Sequence, residues 1–254
     1  MHNDSPIIRV QNVSKVYPRL VRATTFRKAG MRLLERLAEG TSQEEPDGFT
    51  ALKGISFEVR RGEAVGVVGR NGSGKTTLIR LLANIMSPTT GEVHVNGRFA
   101  ALIGLGAGFI DEMTGWENVY LNAAIFGMRP ETTDTIIEEI VNFAGMWKFI
   151  DQPIRVYSTG MRARLAFSVA VHILPDIIFI DEALAVGDLA FRQKCNRRIG
   201  DLLSEGRTFI IVSHGDNLQK LCERGLWLHE GHLQIDDKME TVMREYRKFL
   251  KVSS

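Results

Sequence analysis

The sequence lacks most of what would place it in a special class. No run of about 18 apolar residues occurs, so no segment is read as a membrane-spanning helix. Cysteine is scarce. Cys195 and Cys222 stand alone, in no metal-like spacing, which argues against a disulfide scaffold or thiolate metal site and for two reduced thiols in a cytosolic protein. Proline and glycine, 7 and 24 in 254 residues, are unexceptional, and no repeat or low-complexity tract occurs. Charge of one sign is also missing. Lys and Arg number 32 against 30 Asp and Glu, a formal net charge of +2, whereas a dedicated nucleic-acid binder normally shows a strong basic excess. The opening Met-His-Asn-Asp-Ser-Pro has no basic-then-apolar pattern, so no secretory leader is expected.

What remains is a globular composition, 44% hydrophobic and 24% charged. A chain this long can hide roughly three quarters of its unfolded surface. Short apolar strands are expected at Ile7 to Val10, Ile55 to Val59, Ala64 to Val68, Gly91 to Val95 and Arg98 to Leu102. Helical spacing follows from about Asn118 to Phe149, broken at Arg129-Pro130, and resumes near Gly160. Ile177 to Ile180 reads as a strand buried on both faces. Helix Phe191 to Ser204, strand Thr208 to Ser213, helix Asn217 to Glu223 and strand Leu226 to Leu228 complete the alternation. That order predicts an α/β fold with a mainly parallel central sheet.

The most specific motif is Gly69-Arg70-Asn71-Gly72-Ser73-Gly74-Lys75-Thr76, with Thr77 behind it, set between a strand and a helix. It satisfies the P-loop pattern in its required context. A triphosphate is densely anionic. Glycines let backbone N–H groups approach it, and the helix N-terminus adds free donors and a positive dipole. Lys75 supplies a charge to the β- and γ-phosphates, and the Thr76 hydroxyl is placed to ligate Mg²⁺. A second pair, Asp181-Glu182, ends the buried strand Ile177 to Ile180, where ligands bind in open α/β sheets. Asp181 is expected to hold Mg²⁺ through water, and Glu182 to polarise the attacking water as general base. An acidic helix start would give the same dipeptide; the P-loop about a hundred residues earlier favours the catalytic reading.

A third segment, Tyr157-Ser158-Thr159-Gly160-Met161, opens a helix carrying Arg162, Arg164, Leu165 and Ala166. A Ser hydroxyl and a Gly amide at a helix start suit phosphate, although a plain helix cap is the commoner use. This segment resembles the signature of ABC ATPases in a divergent form, placed as in that family upstream of Asp181-Glu182. The resemblance implies a P-loop ATPase core with an antiparallel β subdomain and an inserted helical subdomain. One domain is then expected over residues 1–254, with the helical subdomain at about 104–157. It also implies ATP and Mg²⁺ as cofactors, Asp188 as the D-loop aspartate, His214 as the switch histidine on the γ-phosphate and Tyr17 as the aromatic stacked on adenine. Within the family the chain resembles the ATP-binding subunits of bacterial cell-surface polymer exporters, those for teichoic acid, O-antigen and capsule polysaccharide. The carrying segments are Leu105 to Phe109, Leu121 to Ala123, Pro153 to Ser158, Asp181 to Asp188 and Phe191 to Cys195. Val171 to Asp176 and the ending Arg244 to Leu250 look most like the teichoic-acid type. The implied assembly has two copies of this chain, head to tail over ATP, with Lys75 from one copy and Ser158 and Gly160 from the other. Two copies of a separate membrane-spanning subunit would hold it at the cytoplasmic face, where a lipid-linked polymer is the substrate.

Two departures stand out. Many ABC ATPases place a glutamine in the loop joining core to helical subdomain, yet none occurs between Gln43 and Gln152; the corresponding loop is about Gly104 to Thr114. The second is an insertion at about 18–48. Its Phe26 to Leu37 stretch interleaves Arg27, Lys28, Arg32 and Arg36 with Leu33, Leu34 and Leu37. Such a segment can lie at an anionic membrane surface or against a partner, or be a solvated connector. The resemblance places a short helix there, near the entrance for the lipid-linked polymer. A C-terminal sugar-binding domain, carried by some O-antigen subunits, is not expected in the space left. A ribosome- or DNA-acting ATPase of the family usually has two motif sets or a long coiled coil, so no nucleic-acid partner is expected; an importer or drug exporter is the other alternative.

Overall fold

The alternation of short apolar runs with helical periodicities folds as a two-sheet α/β architecture. The computed structural model describes residues 5–18, 48–102, 108–173, 175–181, 188–212 and 218–252. Its strands are β1 (Ile8–Pro18), β2 (Gly48–Val59), β3 (Ala64–Val68), β4 (Thr90–Val95), β5 (Phe99–Leu102), β6 (Ile177–Ile180), β7 (Thr208–Val212), β8 (Arg224–His229) and β9 (His232–Lys238). Its helices are α1 (Lys75–Leu82), α2 (Gly115–Ile125), α3 (Pro130–Ala144), α4 (Thr159–His172), α5 (Leu189–Ser204), α6 (Leu218–Leu221) and α7 (Met239–Val252). A three-stranded antiparallel sheet has the order β2-β1-β4, and a six-stranded sheet the order β5-β6-β7-β3-β8-β9. The five strands from β5 to β8 run parallel, and β9 closes that sheet antiparallel to β8.

The period-two rule explains why the larger sheet is buried on both sides. Ile177 and Phe179 of β6, Ile210 and Val212 of β7, and Val65 and Val67 of β3 join the core shared with the three-stranded sheet and α1. Their alternates Ile178, Ile180, Phe209, Ile211 and Val68 face α4, α5 and α7, against Phe167, Phe191, Ile199, Val242 and Tyr246. A third core joins α2, α3 and α4 through Val119, Ile137, Ile140, Leu165 and Val169. Cys195 and Cys222 are free buried thiols, each pushed up to about 12 chiefly by loss of solvation, and so inert near neutral pH. Among the described residues no helix is long and apolar enough to cross a membrane.

Several elements extend or shift from their sequence-based bounds. The first strand runs on to Pro18 and the second begins at Gly48, not Ile55. Register shifts between Val10 and Val16, with Asn12 at φ 47°, break the alternation that would reveal a strand of that length. Pro18 and Gly48 are register partners; the insertion expected between them, with its Phe26 to Leu37 stretch, lies outside the described residues. The helical stretch expected to reach Phe149 stops at Ala144, where Gly145 adopts φ 69° and caps it. No element was expected after Leu228, yet β9 and α7 follow. In β9 only Leu233 and Ile235 pack against the cores, too short an apolar pattern to stand out.

These registers position the site. Leu102, Ile180 and Ile211 lie in one row, and Val212 pairs with Val67. The carboxyl ends of β3, β5, β6 and β7 therefore meet at a single edge, the usual place for ligands in a parallel sheet.

Candidate functional site: a phosphate loop at the sheet edge

From Val68 the chain turns through Gly69, Arg70, Asn71, Gly72 and Ser73 to Gly74, and α1 starts at Lys75. Gly74 sits at φ 106°, and a Cβ there would lie 2.6 Å from the Ala51 carbonyl and 2.7 Å from Leu52 Cδ2. Its backbone is thus pressed against β2 on one side while its other side turns to the loop. α1 carries no side-chain N-cap and no acidic residue in its first turn, which leaves its positive end for an anion. Lys75 is only 6% exposed, and its Nζ donates to the Gly69 carbonyl at 2.7 Å and the Arg70 carbonyl at 3.0 Å, inside the curve of the loop. Ser73 Oγ is buried without a hydrogen-bond partner. An unsatisfied buried hydroxyl costs about 1–3 kcal/mol, which a phosphate oxygen seated on the loop would offset. Ammonium, orphan hydroxyl and bare helix start therefore fit a polyphosphate.

Thr76 is exposed in the first turn of α1. Thr77 Oγ1 lies 3.4 Å from the Tyr17 hydroxyl, which also donates to Met86 Sδ at 3.3 Å. The structure thereby brings Tyr17, at the end of β1, beside the first turn of α1, directly behind the phosphate loop. Asp181 follows the last residue of β6 at the same sheet edge. A Thr hydroxyl and a carboxylate are hard oxygen donors of the kind Mg²⁺ takes. Glu182 and His214 lie outside the described residues. The strands that lead to them, β6 and β7, end at this edge.

Ser158 does cap α4: its Oγ accepts from the Met161 N–H at 3.2 Å. Ser158 and Thr159 remain exposed, Gly160 and Met161 half-buried, and the first turn carries no acidic residue. Capping and anion binding can share this helix start, because one hydroxyl accepts and donates. Asp188 caps α5, accepting from the Phe191 N–H at 2.8 Å, and pairs with Arg164 at 2.6 Å. The Phe191 backbone bond first, and Arg164 after it, hold its carboxyl below the usual carboxylate range. Asp188 therefore ties α4 to α5.

Sequence reasoning missed the fastening of the loop before α2. Asn118 is fully buried; its Nδ2 donates to the carbonyls of Ile110, Met113 and Thr114, and its Oδ1 accepts from the Ile110 N–H. Asp111 pairs with Arg162 at 2.6 Å, and its carbonyl accepts from the Arg155 N–H at 3.0 Å. The glycine-bearing loop at 104–114 is thus locked to the signature segment over its described part. Thr114 and Glu117 form a capping box whose spacing was a readable signal, whereas an asparagine on an apolar helix face carries none.

A strand, a glycine loop and a bare helix start, at the carboxyl edge of a parallel sheet, define a P-loop nucleotide-binding protein. Within that class the family model for "ABC transporter" matches residues 52–185, which span the phosphate loop, signature and Asp181. The chain belongs to the ABC transporter family and is an ATP-hydrolysing cassette. It is 41% identical to a teichoic acids export ATP-binding protein of Levilactobacillus brevis over 96% of this chain and 65% of that one. It is 38% identical to an O-antigen export system ATP-binding protein of Klebsiella pneumoniae over 96% of this chain and 98% of that one, and 43% identical to a second one from that species over 79% and 82%. A dimeric ATP-binding cassette in a post-hydrolysis state, bound to ADP and Pi, superposes with a TM-score of 0.72 at 22% identity, over 91% of this chain and 98% of that one.

Lys75→Ala removes the one ammonium held inside the loop among the described residues. Charge-assisted bonds of this kind are worth about 1.5–3 kcal/mol, so ATP affinity should fall about 10- to 100-fold. Titration with a fluorescent ATP analogue measures it; an unchanged Kd would remove Lys75 from the site.

Proposed function

We propose that this chain powers export of a lipid-linked cell-surface glycopolymer across the cytoplasmic membrane, wall teichoic acid being the first reading. The observation that carries it is identity of about 40% over nearly the whole chain to ATP-binding proteins named for teichoic acid and O-antigen export. The teichoic-acid reading rests on the Val171 to Asp176 and Arg244 to Leu250 segments; the 43% identity to an O-antigen export protein favours that polymer as the second reading. The chain spans between 43% and 98% of the length of these export relatives.

In this proposal two copies close head to tail. ATP and Mg²⁺ sit on Lys75, Thr76 and Asp181 of one copy, with adenine on Tyr17, and Ser158, Thr159, Gly160 and Met161 of the other copy cover the phosphates. Glu182 draws a proton from water as it attacks, and His214 steadies the γ-phosphate. Asp188 acts at this junction from the start of α5. Two separate membrane-spanning subunits hold the pair at the cytoplasmic face and convert closure into transport. The insertion at about 18–48 meets the lipid-linked polymer with its basic and leucine positions.

Complementation tests this reading. Cells lacking their own teichoic-acid export ATPase should regain surface polymer with the wild-type chain and not with Glu182→Gln. Purified Glu182→Gln should lose turnover and accumulate as an ATP-stabilised dimer. Undiminished turnover would mean that another group is the base. Rescue in an O-antigen strain alone would move the substrate to the second reading. Deletion of Arg27 to Glu39 should abolish export while basal ATPase persists; normal export would make the segment a mere connector.

A further inference from the structure

The phosphate loop is held from behind by a turn that no motif identifies. β8 and β9 are joined by Glu230-Gly231, both at positive φ, 48° and 80°. Gly231 makes two backbone bonds that face opposite ways. Its N–H donates to the carbonyl of Ser73, in the middle of the phosphate loop, at 3.2 Å. Its carbonyl accepts from the N–H of Lys53, in β2, at 2.9 Å. A Cβ on Gly231 would lie 2.8 Å from the Ala51 carbonyl, the same oxygen that lies 2.6 Å from a Cβ on Gly74. One carbonyl of β2 is therefore wedged between the last residue of the phosphate loop and this turn. The strand feeding the turn joins in. Trp227 pairs in register with Val68, the residue before the loop, and the Leu228 carbonyl walls the Cα of Gly69.

We infer that Gly231 is a positioning residue for nucleotide binding: acting through Ser73 and Ala51, it sets the curvature of the phosphate loop and so the aim of its N–H groups at the phosphates. A peptide plane whose carbonyl is fixed by Gly231 cannot rotate freely, and the N–H of Gly74 belongs to that same plane. Any side chain at 231 must push either Ala51 or the turn itself, and either movement reaches the loop through a direct contact. No contact with ATP by Gly231 is required. The inference rests on ATP binding at the loop alone and is independent of which polymer is exported.

The test separates loop positioning from backbone strain. Gly206 has nearly the same φ, 81°, with nothing within 4 Å of an added Cβ, and lies after α5. Gly231→Ala and Gly206→Ala thus share the left-handed cost but not the collision. Both should lower Tm. Only Gly231→Ala should also weaken binding of a fluorescent ATP analogue, by about tenfold relative to Gly206→Ala, the effect of a loss near one hydrogen bond. Gly231→Asn, which tolerates positive φ better, should show the same weakening with less loss of Tm. In the wild-type protein, ATP should slow hydrogen exchange at the Gly231 amide. Equal affinities in the Ala variants, or an unchanged exchange rate at Gly231, would overturn the inference and leave the turn as scaffold.

Discussion

A buried ammonium held by backbone carbonyls is the constraint from which the rest of the site follows. Lys75 Nζ lies 2.7 Å from the Gly69 carbonyl and 3.0 Å from that of Arg70, so the charge is stored within the loop that uses it. Such burial is tolerable only where the carbonyls are fixed, since an unpaired charge in a protein interior is strongly disfavoured. The fixing comes from β3 behind the loop, from β2 against Gly74 and from the β8–β9 turn against Ser73. Both sheets therefore contribute to one loop, which gives a physical reason for the small antiparallel sheet to pack where it does.

The second half of the chemistry is built on helix starts. α4 and α5 begin at Ser158 and Asp188, and the Arg164–Asp188 pair joins those two starts. At the other end, the Asp111–Arg162 pair and the Asn118 amide join α4 to the loop before α2. Surface ion pairs add little stability individually, and here they mark which segments are in direct contact. α4 is thus tied on one side to the start of α5 and on the other to the loop before α2.

Much of this was legible in advance. Buried strands such as Ile177–Ile180 announce themselves by four apolar residues in a row, and the Gly69 to Thr76 loop by a spacing that phosphate chemistry requires. Asp181 was read from its place after a buried strand, and Tyr17 and Asp188 from the family resemblance; the structure puts Asp181 directly after β6, Tyr17 beside Thr77 and Asp188 at the start of α5. Less was legible where pairing, not composition, decides the structure. The bulged β1–β2 hairpin hides its alternation, and β9 keeps only two apolar positions. Asn118 looks like an error on an apolar helix face until the carbonyls it bonds are seen. Gly231 is one of 24 glycines and becomes distinct only through Ser73 and Ala51, which are far away in sequence.

The most direct test of the account is whether one ATP is shared by two copies. Lys75→Ala spoils the phosphate loop and Ser158→Arg the signature, so each variant alone should be inactive. Mixed under conditions that allow exchange, the two should form pairs in which one site is doubly damaged and the other intact. The account predicts ATPase activity in the mixture that neither variant shows alone. A mixture as inactive as its components would contradict it, and would place loop and signature in the same copy or outside the reaction.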